Sequence, residues 1–146
     1  MPRTIYFSGS ISAGREDVAM YRRIVEALEG EGHRVLAGMV TSPSIGDGGE
    51  ALSSPEIFRR DMAWLEEVAA AGGVLVAELS RPSHGVGYEI AAARYRFRIP
   101  VIGLWRPAFT RRCSGMIAGD EGVELIEYTD ETVDEMLGRL SAALRE

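Results

Sequence analysis

Lysine is missing from this chain: all 16 basic residues are arginines. That excludes a Walker-type phosphate lysine, a Schiff-base nucleophile and a pyridoxal-phosphate anchor. Cysteine is nearly as scarce. Cys113 is the single one, so an internal disulfide and a cysteine-rich zinc site are both excluded. His33 and His84 are the only imidazoles, too few for a histidine-based metal centre without carboxylates. Positive charge is in deficit as well, with 22 acidic residues against 16 basic and a net charge of −6. Broad binding to a nucleic-acid polymer or a membrane surface is therefore not expected, although a local arginine cluster is still allowed. No apolar run is long enough to span a bilayer, and no signal peptide or lipidation signal is evident. A soluble, cytoplasmic protein is the expectation.

The 146 residues, 46% hydrophobic and 26% charged, suit one globular domain with a real core. Its most informative stretch runs from Ser80 to Glu89, Ser-Arg-Pro-Ser-His-Gly-Val-Gly-Tyr-Glu. The apolar run Val74-Leu75-Val76-Ala77 leads in, as expected of a buried parallel strand, and the alanine-rich Ile90 to Ala93 leads out with good helix propensity. Gly85 and Gly87 can expose backbone N–H groups at the start of a helix, a plausible phosphate or anion cradle. Glu89 at that same end would be held ionised by the helix macrodipole, a useful state for a nucleophile. An ordinary glycine-rich strand-to-helix turn fits the same spacing.

Around this stretch the chain alternates strand and helix patterns. Thr4 to Phe7 reads as a first strand, followed by the small-residue loop from Ser8 to Gly14. In open α/β sheets, ligands bind outside strand carboxyl ends, where this loop falls. Arg15 to Leu28 has helical spacing, closed by Gly30 and Gly32, and Arg34 to Ala37 reads as a second strand. Gly38 to Ser54 is a long Gly/Ser/Pro segment, fitting a lid, a binding loop or a surface excursion. Pro55 to Ala71 is helical, with Ser54 as the expected cap and Pro55 at the first position. A third strand at Val74 to Glu78 precedes a helix from about Val86 to Phe97. Strands at Pro100 to Trp105 and Glu124 to Tyr128 flank a short helix around Arg111 to Ile117. Val133, Met136, Leu137, Leu140 and Leu144 mark a closing helix capped near Thr129 or Asp130. Right-handed crossovers then give a single domain of the doubly wound, flavodoxin-like α/β class: a three-layer sandwich with a five-stranded parallel sheet.

Asp61 falls four residues after Ile57 and four before Leu65, on the apolar stripe of its helix. An inward carboxylate is costly unless paired, hydrogen-bonded or functional; a bond to a neighbouring loop or to Arg60, from the stripe's edge, would be the plain structural account. Gly85-Val86-Gly87 is a poor dinucleotide fingerprint, since the third glycine position is Ile90. Cys113 reads as packing, Trp64 and Trp105 as core or interface, and the pairs Arg22-Arg23, Arg59-Arg60 and Arg111-Arg112 as solvated helix faces. Two carboxylates, Asp61 and Glu89, beside a phosphate cradle fit cleavage of a glycosidic bond in a phosphorylated sugar. One would attack the anomeric carbon and the other would handle protons, provided their environments separate their pKa values.

Several segments together closely resemble the 2′-deoxynucleoside 5′-monophosphate N-glycosidases, relatives of the nucleoside 2-deoxyribosyltransferases. They are Ile5 to Ile11, Gly14 to Asp17, Asp61 to Leu65, Pro82-Ser83 with Gly85 to Glu89, and Ser114-Gly115-Met116-Ile117. The resemblance covers nearly the whole chain. It implies hydrolysis between base and deoxyribose 5-phosphate, with no metal or organic cofactor. Glu89 would be the nucleophile, Asp61 the general acid/base, and Tyr6 the group orienting Glu89. The phosphate would be held by Gly9, Ser10, Ile11, Ser12, Ala13, Gly14 and Arg15, by Ser83 with the Gly85 and Gly87 backbone, and by the Ser114–Met116 segment. Ser114 would reach it from a second subunit, implying a homodimer with shared sites. Ser12 stands where family members carry arginine, Gly38 and Met39 replace a Glu-His pair near the base, and the usual aspartate is missing from Ala70 to Gly73. His84 replaces an apolar residue and is expected to be exposed at the pocket mouth. Base exchange between deoxynucleosides and nucleotide binding without turnover are the rival readings.

Overall fold

The computed structural model describes residues 1–11, 17–38, 51–107 and 112–146. Five strands, β1 (Thr4–Ser8), β2 (Arg34–Leu36), β3 (Val74–Glu78), β4 (Val101–Trp105) and β5 (Val123–Glu127), form one sheet. Every pairing is parallel and the order is β2-β1-β3-β4-β5. The helices are α1 (Val18–Gly30), α2 (Ser54–Ala70), α3 (His84–Ala91), α4 (Gly115–Ala118) and α5 (Val133–Leu144). The doubly wound α/β reading therefore holds.

Strand alternation decides which side chain serves which layer. Ile5 and Phe7 join Val74, Val76, Ile102 and Leu104 in the core under α1 and α5. Tyr6, Leu75, Ala77 and Val101 face the other way, against Leu65 and Val68 of α2 and Val86 and Ile90 of α3. Tyr6 thus points toward the helices carrying Asp61 and Glu89. Tight packing at the start of β3 depends on Gly73, where a Cβ would stand 2.0 Å from the Thr4 carbonyl oxygen.

Several local expectations need correction. The α2 cap is Ser53, because Glu56 three residues on completes a reciprocal capping box: Ser53 N–H donates to Glu56 Oε1 at 2.9 Å and Glu56 N–H to Ser53 Oγ at 3.3 Å. The α3 helix begins at His84 rather than Val86, since Ser83 Oγ accepts from Val86 N–H and starts the helix two residues earlier. It then loosens into a π-helical turn over Ala92–Arg96. The short helix shrinks to Gly115–Ala118, and Arg111 lies outside the described residues. Thr132 occupies the cap position of α5, while Thr129 and Thr132 bond to each other in the preceding turn. Arg15 is outside the described residues too, and the described part of α1 begins at Val18 and runs on to Gly30. Among the described residues, no helix is long and apolar enough to cross a membrane.

Candidate active site

β1 delivers Tyr6 and Ser8 to the carboxyl end of the sheet, where α2 and α3 converge. Tyr6 OH donates to Glu89 Oε2, and Ser8 Oγ donates to Glu89 Oε1 at 2.8 Å. Asp61 comes from the facing side of α2 and meets Glu89 within hydrogen-bonding reach. The two carboxyl groups named from the sequence therefore share one site, with Tyr6 bonded to Glu89.

Electrostatics here differ from the helix-dipole expectation. Glu89 is the sixth residue of α3, beyond the first turn where the dipole acts, and that turn contains no acidic side chain. Burial dominates instead and pushes the Glu89 carboxyl up to about 7. The Tyr6 hydrogen bond pulls it back, while the adjacent Asp61 charge pushes it further up. Burial, Glu89 and Asp61 together drive the Tyr6 phenol far above its ordinary range, so it remains a neutral donor. Glu89 is thus poised to exchange a proton near neutral pH.

Both carboxyls open into a cavity of about 640 Å³. Gly9 and Ile11 line it from the loop after β1, Ser83, His84 and Gly85 from the start of α3, and Ile57 and Trp64 from α2. Ser10 is buried beneath that loop, and Ser12, Ala13, Gly14 and Arg15 lie outside the described residues. Gly87 and Ser114 are not in this cavity; they line an adjoining hollow of about 430 Å³ together with Ser83 and His84. Met116 is 88% exposed. The Gly87 amide donates to the Ser83 carbonyl at 3.1 Å, so within the turn Gly85, rather than Gly87, is placed to offer its N–H to an anion. His84 is exposed and borders both hollows, as expected.

Two contributors were not singled out from sequence, and a third, Arg60, was named only as a structural partner for Asp61. Ser8 was read only as part of a small-residue loop. Trp64, read as core or interface, is a cavity wall, with its ring centroid 6.3 Å from that of Tyr6 at an interplanar angle of 67°. Arg60, read as a solvated face, places its guanidinium 4.8 Å from the Trp64 ring centroid and bonds Asp61. Its adjacency to an inward aspartate was the available signal. Gly38 also finds a reason: it adopts φ +55°, and a Cβ would meet the Trp64 ring at 2.9 Å. Met39 lies outside the described residues.

A buried polar network braces the site from below. Glu78, fully buried at the end of β3, accepts from Ser80 N–H at 2.9 Å, Ser80 Oγ at 2.7 Å and Tyr128 OH at 2.5 Å. Arg106, 3% exposed, donates to Ser80 Oγ at 3.0 Å and pairs with Asp17 at 2.9 Å. Arg81 reaches the same Asp17 oxygen at 2.9 Å. Asp17 and Ser80 anchor the two loops that border the cavity. Removing the central cation with Arg106→Ala leaves Asp17 and Glu78 undercompensated and is expected to cost about 3 kcal/mol. A lower denaturant midpoint at unchanged slope would register that loss.

Among the described residues, no group of three or more His, Cys, Asp or Glu side chains is arranged to hold a metal ion.

No family model matches the chain. It is similar to 5-hydroxymethyl-dUMP N-hydrolase of Mus musculus, 38% identical over 144 residues, covering 95% of this chain and 80% of the mouse protein. The 5-hydroxymethyl-dUMP N-hydrolase of Esox lucius is 37% identical, covering 93% and 92%. A Nematostella vectensis protein, provisionally named 2′-deoxynucleoside 5′-phosphate N-hydrolase 1, is 37% identical over 92% of this chain and 91% of its own length. Among solved structures, a CMP N-glycosidase from Clostridium botulinum superposes with a TM-score of 0.67 at 16% identity, covering 97% of this chain and all of the other. A conserved protein from Enterococcus faecalis does so at 0.62 and 18%. These two bear on the fold.

Proposed function

We propose, from the premise that this chain belongs to the 2′-deoxynucleoside 5′-phosphate N-hydrolase family, that it cleaves the bond between base and sugar in 2′-deoxynucleoside 5′-monophosphates. The observation that carries this reading is the meeting of Asp61 and Glu89 over one cavity, with Tyr6 and Ser8 bonded to Glu89.

The proposed cycle has two steps and balances with one water. The proton that the buried Glu89 carboxyl, raised to about 7, carries in the first step passes to Asp61 across their contact. The C1′–N bond then breaks with its electron pair going to the base, which takes the proton from Asp61. Glu89 forms a bond to C1′, giving a deoxyribosyl ester. In the second step the Asp61 carboxylate takes a proton from water, the water oxygen bonds C1′, and Glu89 departs as carboxylate. Because a 2′-deoxy sugar lacks an electron-withdrawing hydroxyl, its oxocarbenium-like transition state is easier to reach, and the Glu89 charge stabilises it. Tyr6 and Ser8 hold the attacking oxygens in place.

The 5′-phosphate is held by Ser83, the Gly85 amide and the loop from Gly9 to Arg15. Ser83 Oγ already accepts from Val86 N–H, which leaves its hydroxyl proton for an anion. The active unit is a homodimer, with Ser114 contributed across the interface. In support, among the described residues the large exposed apolar side chains beyond Met1, namely Leu52, Phe58, Tyr88, Tyr95 and Met116, lie on or beside the α2–α3–α4 layer.

Incubation with deoxynucleoside monophosphates, ribonucleoside monophosphates and unphosphorylated deoxynucleosides, with chromatographic detection of free base, tests the reading. Deoxynucleotides should yield base and 2-deoxyribose 5-phosphate, and removing the phosphate should lower kcat/KM by about 100-fold or more. Transfer of the sugar to an added base without net hydrolysis would instead establish the exchange reaction. Tight binding with no base released would leave a nucleotide-binding module.

A further inference from the structure

Arg60 and Asp61 are consecutive on α2, a spacing that ordinarily sends side chains to different faces of a helix. Arg60 nevertheless folds back across the face of Trp64; its Nε donates to Asp61 Oδ1 at 2.9 Å, and its Nη2 lies 2.9 Å from the same oxygen as an ion pair. The two side chains are 22% and 17% exposed, so the pair is shielded at the cavity wall. Trp64 in turn meets the edge of Tyr6, which donates to Glu89. The contacts therefore close a ring: Arg60 to Asp61, Asp61 to Glu89, Glu89 to Tyr6, Tyr6 to Trp64, and Trp64 back to Arg60.

Both guanidinium contacts land on one oxygen. A proton on Oδ1 would have to displace them, so proton chemistry is left to Oδ2. Building on the hydrolase reading above, we propose that Arg60 is a positioning residue for it: Arg60 fixes Asp61 so that the proton received from Glu89 sits on Oδ2 and is handed to the departing base.

The sign of its electrostatic effect follows. Among the described residues, the groups facing the Asp61 carboxyl are Arg60 on its own helix, Glu89 from α3 and Tyr6 from β1. Tyr6 is neutral and Glu89 shares the proton, so Arg60 supplies the positive charge. That charge offsets the negative charge left on Asp61 once its proton has gone to the departing base. Arg60 acts on the leaving group and not on the phosphate.

Arg60→Gln and Arg60→Lys, compared with the unsubstituted protein on two substrates, test this. One substrate is a deoxynucleoside monophosphate. The other is 2-deoxyribose 5-phosphate bearing p-nitrophenolate, which departs without needing a proton. For Arg60→Gln, kcat on the nucleotide should fall by about 10- to 100-fold with KM within about twofold, and by less than about threefold on the nitrophenyl compound. Arg60→Lys, which retains charge but not the fork, should recover part of kcat on the nucleotide. Equal losses on both substrates, or no recovery of kcat in Arg60→Lys, would overturn the proposal. If the unsubstituted protein cleaves the nitrophenyl compound but no nucleotide, the hydrolase reading fails and the role of Arg60 falls with it. A working nucleotide hydrolase indifferent to Arg60→Gln sinks the Arg60 role alone.

Discussion

Glu89→Gln is expected to reduce base release by at least about 1,000-fold while making the folded protein more stable. Glutamine retains an oxygen that can accept from Tyr6 or Ser8 but cannot form the bond to C1′, so geometry survives and chemistry does not. The stability gain follows from linkage. Burial raises the Glu89 carboxyl from its ordinary 4.5 to about 7, so the native state binds more protons than the unfolded chain between those values. Stability contributed by the protonated group is complete below about 4.5, falls as pH rises through the window, and is gone above about 7. Glutamine carries no such dependence. The advantage of Glu89→Gln should therefore be near zero at pH 4, grow through pH 6, and level off above pH 7 at on the order of 2 kcal/mol. Thermal scans should show this as a rise of about 6 °C at pH 8. A variant that loses activity but is equally destabilised at every pH would mean that Glu89 is chiefly a structural contact.

The sheet, the order of elements and the two carboxylates were legible because each leaves a local mark. Parallel strands buried on both faces read as short apolar runs, and Asp61 stands out as a charge inside the spacing of Ile57 and Leu65. Glu89 was found, but its state was misread, because charge depends on what is packed around it. Counting from Gly85 and Gly87 suggested a dipole-held anion, whereas Ser83 starts the helix early enough to put Glu89 in its second turn. The pairing of Arg60 with Asp61 was legible as a structural contact, but its place at the cavity wall was not. Neighbouring residues on a helix diverge, and only the tertiary placement of Trp64 bends the guanidinium back to Asp61. The network of Asp17, Glu78, Ser80, Arg106 and Tyr128 draws single residues from four separate stretches. Such long-range pairing has no periodicity to announce it. Gly38 shows the reverse case: noted as a departure from the family, it has a steric cause in the Trp64 ring and a left-handed backbone.

Asp61→Asn should lower kcat on deoxynucleotides by about 100- to 10,000-fold, the usual range for removing a general acid. Its diagnostic consequence is not the size of that loss but where the cycle stalls. With 2-deoxyribose 5-phosphate bearing p-nitrophenolate, the first step needs no proton donor, so Glu89 can still displace the leaving group. The second step needs a base to deprotonate water, and asparagine cannot serve. Nitrophenolate should then appear as a burst of about one equivalent per site, followed by slow turnover. Mass spectrometry of the quenched protein should find deoxyribose 5-phosphate esterified to Glu89. The free site responds as well: Asp61 is one of the groups raising the Glu89 carboxyl, so its replacement by a neutral amide moves the Glu89 titration to lower pH. The acid limb of the burst rate should shift downward with it. A steady, burst-free release of nitrophenolate at the wild-type rate would require the water to be activated elsewhere, and the assignment of two proton transfers to one aspartate would be wrong.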